Sequence, residues 1–141
     1  MIFTSDNGPT ALRSANDGTT DVIGRWFAGE DPLAGFKHDL REGGIRVPLI
    51  VVRPDTHSVV RPGAVDRTPA YFADLLPTLA DYAGYKPITG LDGVSLRALI
   101  DDGRLPAPAR SLYWGYPDRD QHAVRSENWK AYWIDGHASL F

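Results

Sequence analysis

Apolar, β-prone residues open the chain, Met1-Ile2-Phe3-Thr4, and stop at Asp6-Asn7-Gly8-Pro9, a cluster of turn formers. The pattern predicts a short strand ending in a sharp break. Residues 11–32 are polar and rich in Gly and Asp, interrupted by Val22-Ile23 and Trp26-Phe27. They read as a surface loop over a cleft, with at most a short helical or strand piece. Residues 35–44 carry Lys37, Asp39, Arg41 and Glu42 and close on Gly43-Gly44. The apolar run Leu49-Ile50-Val51-Val52 follows, and its continuity predicts a strand buried on both faces of a mostly parallel sheet. Pro48 suits the first position of such a strand.

Farther along, the period changes. Phe72, Leu75, Leu76, Leu79 and Tyr82-Ala83 fall at helical spacing, with Thr68 placed as N-cap, Pro69 at the first position and Gly84 as the stop. Pro77 conflicts with one continuous helix, so either the helix starts near Asp74 or there are two short turns. Residues 94–100 predict a shorter helical turn. Residues 111–116 and 123–134 read as strands of a small antiparallel, aromatic-rich unit, in which Trp114, Trp129 and Trp133 are expected in the core. Strands, chemistry-bearing loops and returning helices together give α/β. The predicted division is 1–105 for the α/β part and 106–141 for the small β unit. Asp6 and Asn7 would lie at the carboxyl end of a strand, where such sheets collect ligands.

Composition narrows the class. The chain has 141 residues, 43% hydrophobic and 23% charged, with net charge −3, an ordinary globular balance. No basic field points to nucleic acid, and no apolar run approaches the roughly 20 residues that span a bilayer. The first residues have neither the basic nor the apolar region of a signal peptide. There is no cysteine, which excludes disulfides, zinc-thiolate sites and a cysteine nucleophile within this sequence.

Asp6 and Asn7 put a carboxylate and an amide carbonyl side by side, the oxygen donors that hard cations take in sets of about 6–8 for Ca²⁺ and about six for Mg²⁺. On these residues alone, Asp-Asn-Gly reads first as a turn. Lys37 can hold an anion as a point charge, though a solvated lysine is the simpler reading. Arg41, Glu42 and Arg46 fit either substrate contacts or an ion-pair network that fixes the Gly43-Gly44 loop. His38, His57, His122 and His137 have no metal-ligand spacing, and His122, in a charged loop, is the one to watch.

In order along the chain, the segments Phe3-Thr4-Ser5-Asp6-Asn7-Gly8-Pro9, Pro32-Leu33-Ala34-Gly35-Phe36-Lys37, Glu42-Gly43-Gly44-Ile45-Arg46-Val47-Pro48, Asp74-Leu75-Leu76-Pro77-Thr78-Leu79 with Ala83-Gly84, and Leu91-Asp92-Gly93-Val94-Ser95-Leu96 resemble the sulfatase family of the alkaline-phosphatase-like superfamily. Ala123-Val124-Arg125 with Trp129-Lys130 is similar to its C-terminal strand region. The resemblance implies part of an alkaline-phosphatase-like mixed sheet flanked by helices, with a small C-terminal antiparallel unit. It implies a sulfuric ester hydrolase in which Asp6 and Asn7 bind the metal, Ca²⁺ before Mg²⁺, and Lys37 contacts the sulfate. Glu42 and Arg46 match positions taken as mainly structural. The substrate would be a sulfate-ester small molecule or carbohydrate.

The family's nucleophile is a formylglycine made within a C/S-x-P-x-R motif, and no such motif occurs here. Nor do the family's paired N-terminal aspartates or its upstream lysine and histidine. The expectation is therefore a C-terminal portion of a sulfatase, inactive alone, whose missing partner is the N-terminal part of the domain. Two other readings stay open: a phosphodiesterase or phosphonate hydrolase of the same superfamily, and a non-catalytic domain binding a partner or sugar through the aromatic unit. Family members are often periplasmic, secreted or lysosomal; this sequence carries no address.

Overall fold

A computed structural model describes residues 1–9, 33–53, 62–86, 89–104 and 110–141. The loop expected over 11–32, and His57, lie outside the described residues. The fold is mixed α/β, with two antiparallel sheets and a few short helices. Contacts divide the chain into Met1–Val52 with Arg110–Phe141, and Arg53–Ala109.

In the first unit, β1 (Ile2–Thr4) pairs antiparallel with β2 (Leu49–Val51), Phe3 opposite Ile50. The ribbon is extended by Val52 N–H donating to Met1 O at 2.8 Å. This corrects the expected parallel strand buried on both faces: Leu49 and Ile50 are 39% and 51% exposed. Among the described residues β2 is paired on one edge only, so its unbroken apolar run has no sheet interior to enter. A single helical turn, α1 (Glu42–Ile45), precedes it.

The second sheet is a meander of β3 (Ser111–Tyr116), β4 (Gln121–Ser126), β5 (Trp129–Ile134) and β6 (His137–Leu140). The expected run 123–134 is thus two strands, turned at Glu127, which sits at φ 51°. Asp135 and Gly136, at φ 54° and 75°, form the next hairpin, where Asp-Gly supplies the two left-handed positions its twist requires. Side chains alternate across the sheet with period two. Ala123 and Ile134 point inward onto Leu40, with Trp114, Tyr116, Tyr132 and Ile45 packed around them. Trp129 and Trp133 fall on the opposite face, 62% and 41% exposed, so only Trp114 of the three tryptophans expected inside meets the core. His122 lies within β4 rather than in a loop; its Nδ1 is 2.7 Å from the Tyr113 hydroxyl.

In the second unit a 3-10 turn, Phe72–Asp74, leads into α2 (Leu75–Tyr82). Helix starts at Leu75, not at Pro69, because Pro77 lacks an N–H and fits only a first turn. Tyr85 N–H donates to Ala80 O at 3.0 Å and Gly84 N–H to Asp81 O at 3.1 Å, a Schellman closure with Gly84 at φ 77°. Phe72, Leu76 and Leu79 of the predicted stripe are exposed; the buried positions are Asp74 and Thr78. The Asp74 carboxylate accepts from Tyr71 N–H at 2.9 Å and from Val94 N–H at 3.0 Å. The Thr78 hydroxyl donates to Asp74 O at 2.6 Å and accepts from Leu96 N–H at 2.9 Å. These bonds staple residues 94–96 to the helix ahead of α3 (Arg97–Asp102).

Candidate metal and anion site

Beyond Thr4 the chain breaks from β1 into a tight loop. The Ser5 hydroxyl donates to Asn7 O at 2.9 Å, and Asn7 Nδ2 donates to Gly8 O at 2.9 Å. The Asn7 amide nitrogen is thereby engaged, which leaves its Oδ1 as the group a hard cation would take. Asp6 is exposed, and its carboxylate has no hydrogen bond or ion pair with the described residues. The pair fits an oxygen-ligated cation in chemistry and falls short of it in number. Among the described residues no group of three or more His, Cys, Asp or Glu could hold a metal.

Close backbone approach joins this loop to the other two candidate segments. Gly8 N–H donates to Gly44 O at 2.8 Å, and a Cβ on Gly8 would lie 1.7 Å from Gly43 O. On their other side, Gly43 and Gly44 are wrapped by residues 33–39: a Cβ on Gly43 would meet Gly35 O at 2.1 Å, and one on Gly44 would meet Asp39 O at 1.9 Å. Gly43 N–H donates to Ala34 O at 2.7 Å. Both glycines are buried, and the loops reach van der Waals distance only because neither carries a side chain. Lys37 N–H then donates to Pro9 O at 2.8 Å. The backbones bearing Asp6-Asn7 and Lys37 are thus directly bonded, although among the described residues their side chains share no partner. Lys37 is exposed, and its ammonium has no partner among the described residues.

The charged residues around Gly43-Gly44 form the ion-pair network. Arg41 pairs with Asp39 at 3.2 Å. Glu42 meets three cations: Lys130, whose ammonium is hydrogen-bonded to Oε1, Arg46 at 3.7 Å and Arg125 at 3.9 Å. Lys130 is only 5% exposed and lies over the rings of Tyr132 and Trp114, 4.8 and 5.5 Å from their centroids. Burial pushes its pKa down against the opposing pull of Glu42. Burial, with the negative charges of Glu42 and Asp39, pushes the Tyr132 phenol up. Lys130 was not singled out from the sequence as the partner of Glu42. Its signal was a lysine at an inward-facing register position between aromatics, visible only once the strand's phase is known.

The sulfatase family model matches residues 1–85. Human arylsulfatase A is 35% identical over 138 residues, covering 95% of this chain and 24% of that protein. A protein named sulfatase from Formosa agariphila is 31% identical over 123 residues, covering 83% of this chain and 19% of its own length. The chain therefore spans about a quarter or less of the curated relatives it matches. With its Asp-Asn-Gly loop, its lysine turn and its buried Gly-Gly pair locked together by backbone contacts, and with the family match running through all three, this chain belongs to the sulfatase family.

Proposed function

We propose that the chain contributes one side of the active site of a sulfuric ester hydrolase. Asp6 and Asn7 would supply two oxygen ligands to a divalent cation, Ca²⁺ before Mg²⁺, and Lys37 would neutralise an oxygen of the sulfate group. The cation, when bound, would polarise the ester and offset charge as the S–O bond breaks. Lys37 would add a fixed positive charge on the same group, worth most where water is excluded. The nucleophile and the remaining ligands would come from residues outside this sequence, which contains no C/S-x-P-x-R motif. The observation that carries the reading is the Lys37 N–H bond to Pro9 O, which ties the anion-binding candidate to the loop of the cation-binding one.

A Ca²⁺ titration of the 141-residue chain followed by NMR tests it. Weak, saturable shifts confined to Asp6, Asn7 and Gly8, and abolished by Asp6→Asn, are expected from a partial ligand set. Tight stoichiometric binding would show a complete sphere within the chain, and no response at Asp6 would remove it as a ligand.

A further inference from the structure

Phe36, Lys37, His38 and Asp39 form a turn closed by Asp39 N–H donating to Phe36 O at 3.0 Å. His38, at its third position, has φ 73°. That is the pattern of a type II turn, whose third position favours Gly or Asn because a side chain there is strained. A glycine would make the same turn without the strain that an L-residue carries in the left-handed region. The turn alone therefore does not account for a histidine.

The His38 ring does have a fixed place. Its Nδ1 shares a 2.9 Å hydrogen bond with the Tyr116 hydroxyl, and the two rings lie 5.9 Å apart, tilted by 31°. Tyr116 ends β3, opposite Gln121 of β4, and the Arg119 guanidinium lies 5.7 Å over its ring. Gln121 Oε1 accepts from Leu40 N–H at 3.3 Å, so the same end of the sheet holds the chain again two residues later. Lys37 thus sits between two anchors. Its own N–H is bonded to the Asp-Asn loop through Pro9 O, and its neighbour's ring is bonded to the rigid sheet.

We propose that His38 and Tyr116 are positioning residues for Lys37, holding the lysine turn against the four-stranded sheet so that its cationic side chain starts from a fixed backbone. The purpose of that placement rests on the anion-binding role given to Lys37 above. The device is conformational: it limits how far the residue 36–39 turn can swing without adding a contact to the bound group.

Amide hydrogen exchange and lysine side-chain NMR on the 141-residue chain test the proposal, with inorganic sulfate as the probe. Tyr116→Phe keeps the ring and loses the hydroxyl; His38→Ala keeps an L-residue at φ 73° and loses the ring. Each is expected to speed exchange at Lys37 and Asp39 by about fivefold, the worth of one hydrogen bond, with strands β4 and β5 unmoved. The double variant should be no faster than either single one. Each variant should also weaken the sulfate-induced shift at Lys37 Nζ. Unchanged Lys37 exchange in both single variants, or effects that add in the double, would overturn the proposal. Faster exchange with no sulfate response at Lys37 in the unmodified chain would uphold the positioning and count against the anion role alone.

Discussion

Glu42 and Lys130, 88 residues apart in sequence, meet as a hydrogen-bonded ion pair beneath the C-terminal sheet, with the lysine almost fully enclosed. The pair fastens α1, the turn that carries Gly43 and Gly44, to β5. Breaking one side of a buried pair leaves an uncompensated charge, which costs about 3–5 kcal/mol. Lys130→Met is expected to be milder than Glu42→Gln, because Arg46 and Arg125 still face Glu42 whereas Glu42→Gln leaves three cations together. Urea unfolding of both single variants and the double measures the order; equal losses would contradict it.

Alkaline stability should show the same cluster from another side. Lys130 binds its proton less tightly folded than unfolded, so between its lowered pKa and the ordinary value near 10.4 the unfolded chain holds more protons, and stability rises with pH. Tyr132 is shifted the opposite way: above about pH 10 the unfolded chain loses its phenolic proton first, and stability falls. Comparing unfolding free energies of each variant with the unmodified chain from pH 8 to 11 isolates the two effects. Lys130→Met should remove the rise and Tyr132→Phe the fall.

Gly8→Ala is expected to cost about 3 kcal/mol or more, since overpacking alone costs about 1–3 kcal/mol and here the neighbour is backbone. Gly136→Ala, at φ 75° with open space around it, should cost about 1–2 kcal/mol from conformation only. Thermal melts of the two variants separate close approach from backbone strain. A Gly8→Ala chain as stable as Gly136→Ala would contradict the packing described.

Thr78→Val removes the hydroxyl that serves both Asp74 O and Leu96 N–H, leaving buried groups unsatisfied at a cost of about 2 kcal/mol. Thr78→Ser retains the hydroxyl and should lose less. Denaturant midpoints of the two variants decide whether hydrogen bonding or shape makes the difference.

Lys37→Met should leave folding within about 0.5 kcal/mol, because the side chain is exposed and has no partner among the described residues. In an assembled sulfatase carrying this segment, it should lower turnover of an aryl sulfate by about 10²–10³-fold, the usual loss when one charge-stabilising group is removed. Loss of folding without a selective loss of turnover would assign Lys37 to structure.

The local elements were largely legible. Turn chemistry marked the end of β1, Gly84 marked the end of α2, and Pro77 resolved its own conflict by fixing the helix start. What failed was whatever depends on partners distant in sequence. The run at residues 49–52 has the composition of a doubly buried strand, but composition does not say which edges pair. Trp129 and Trp133 were misplaced because alternation gives two faces and hydrophobicity alone did not choose between them. At the candidate site, ordered motifs pointed to Asp6, Asn7 and Lys37, and the structure joins their loops by backbone through Pro9 O. The close approach of Gly8 to Gly43 and the tie from His38 to Tyr116 were not, since both depend on chain segments meeting across 35 or more residues.

The pairing of Glu42 with Lys130 also sets a schedule for synthesis. At about 5–20 residues per second on the ribosome, the 88-residue interval between them takes roughly 4–18 s. For that time the turn that backs the Asp-Asn loop lacks its sheet, so the loop emerges long before its support does. The Asp6-Asn7 loop therefore reaches its packed surroundings only after the last strands have been made.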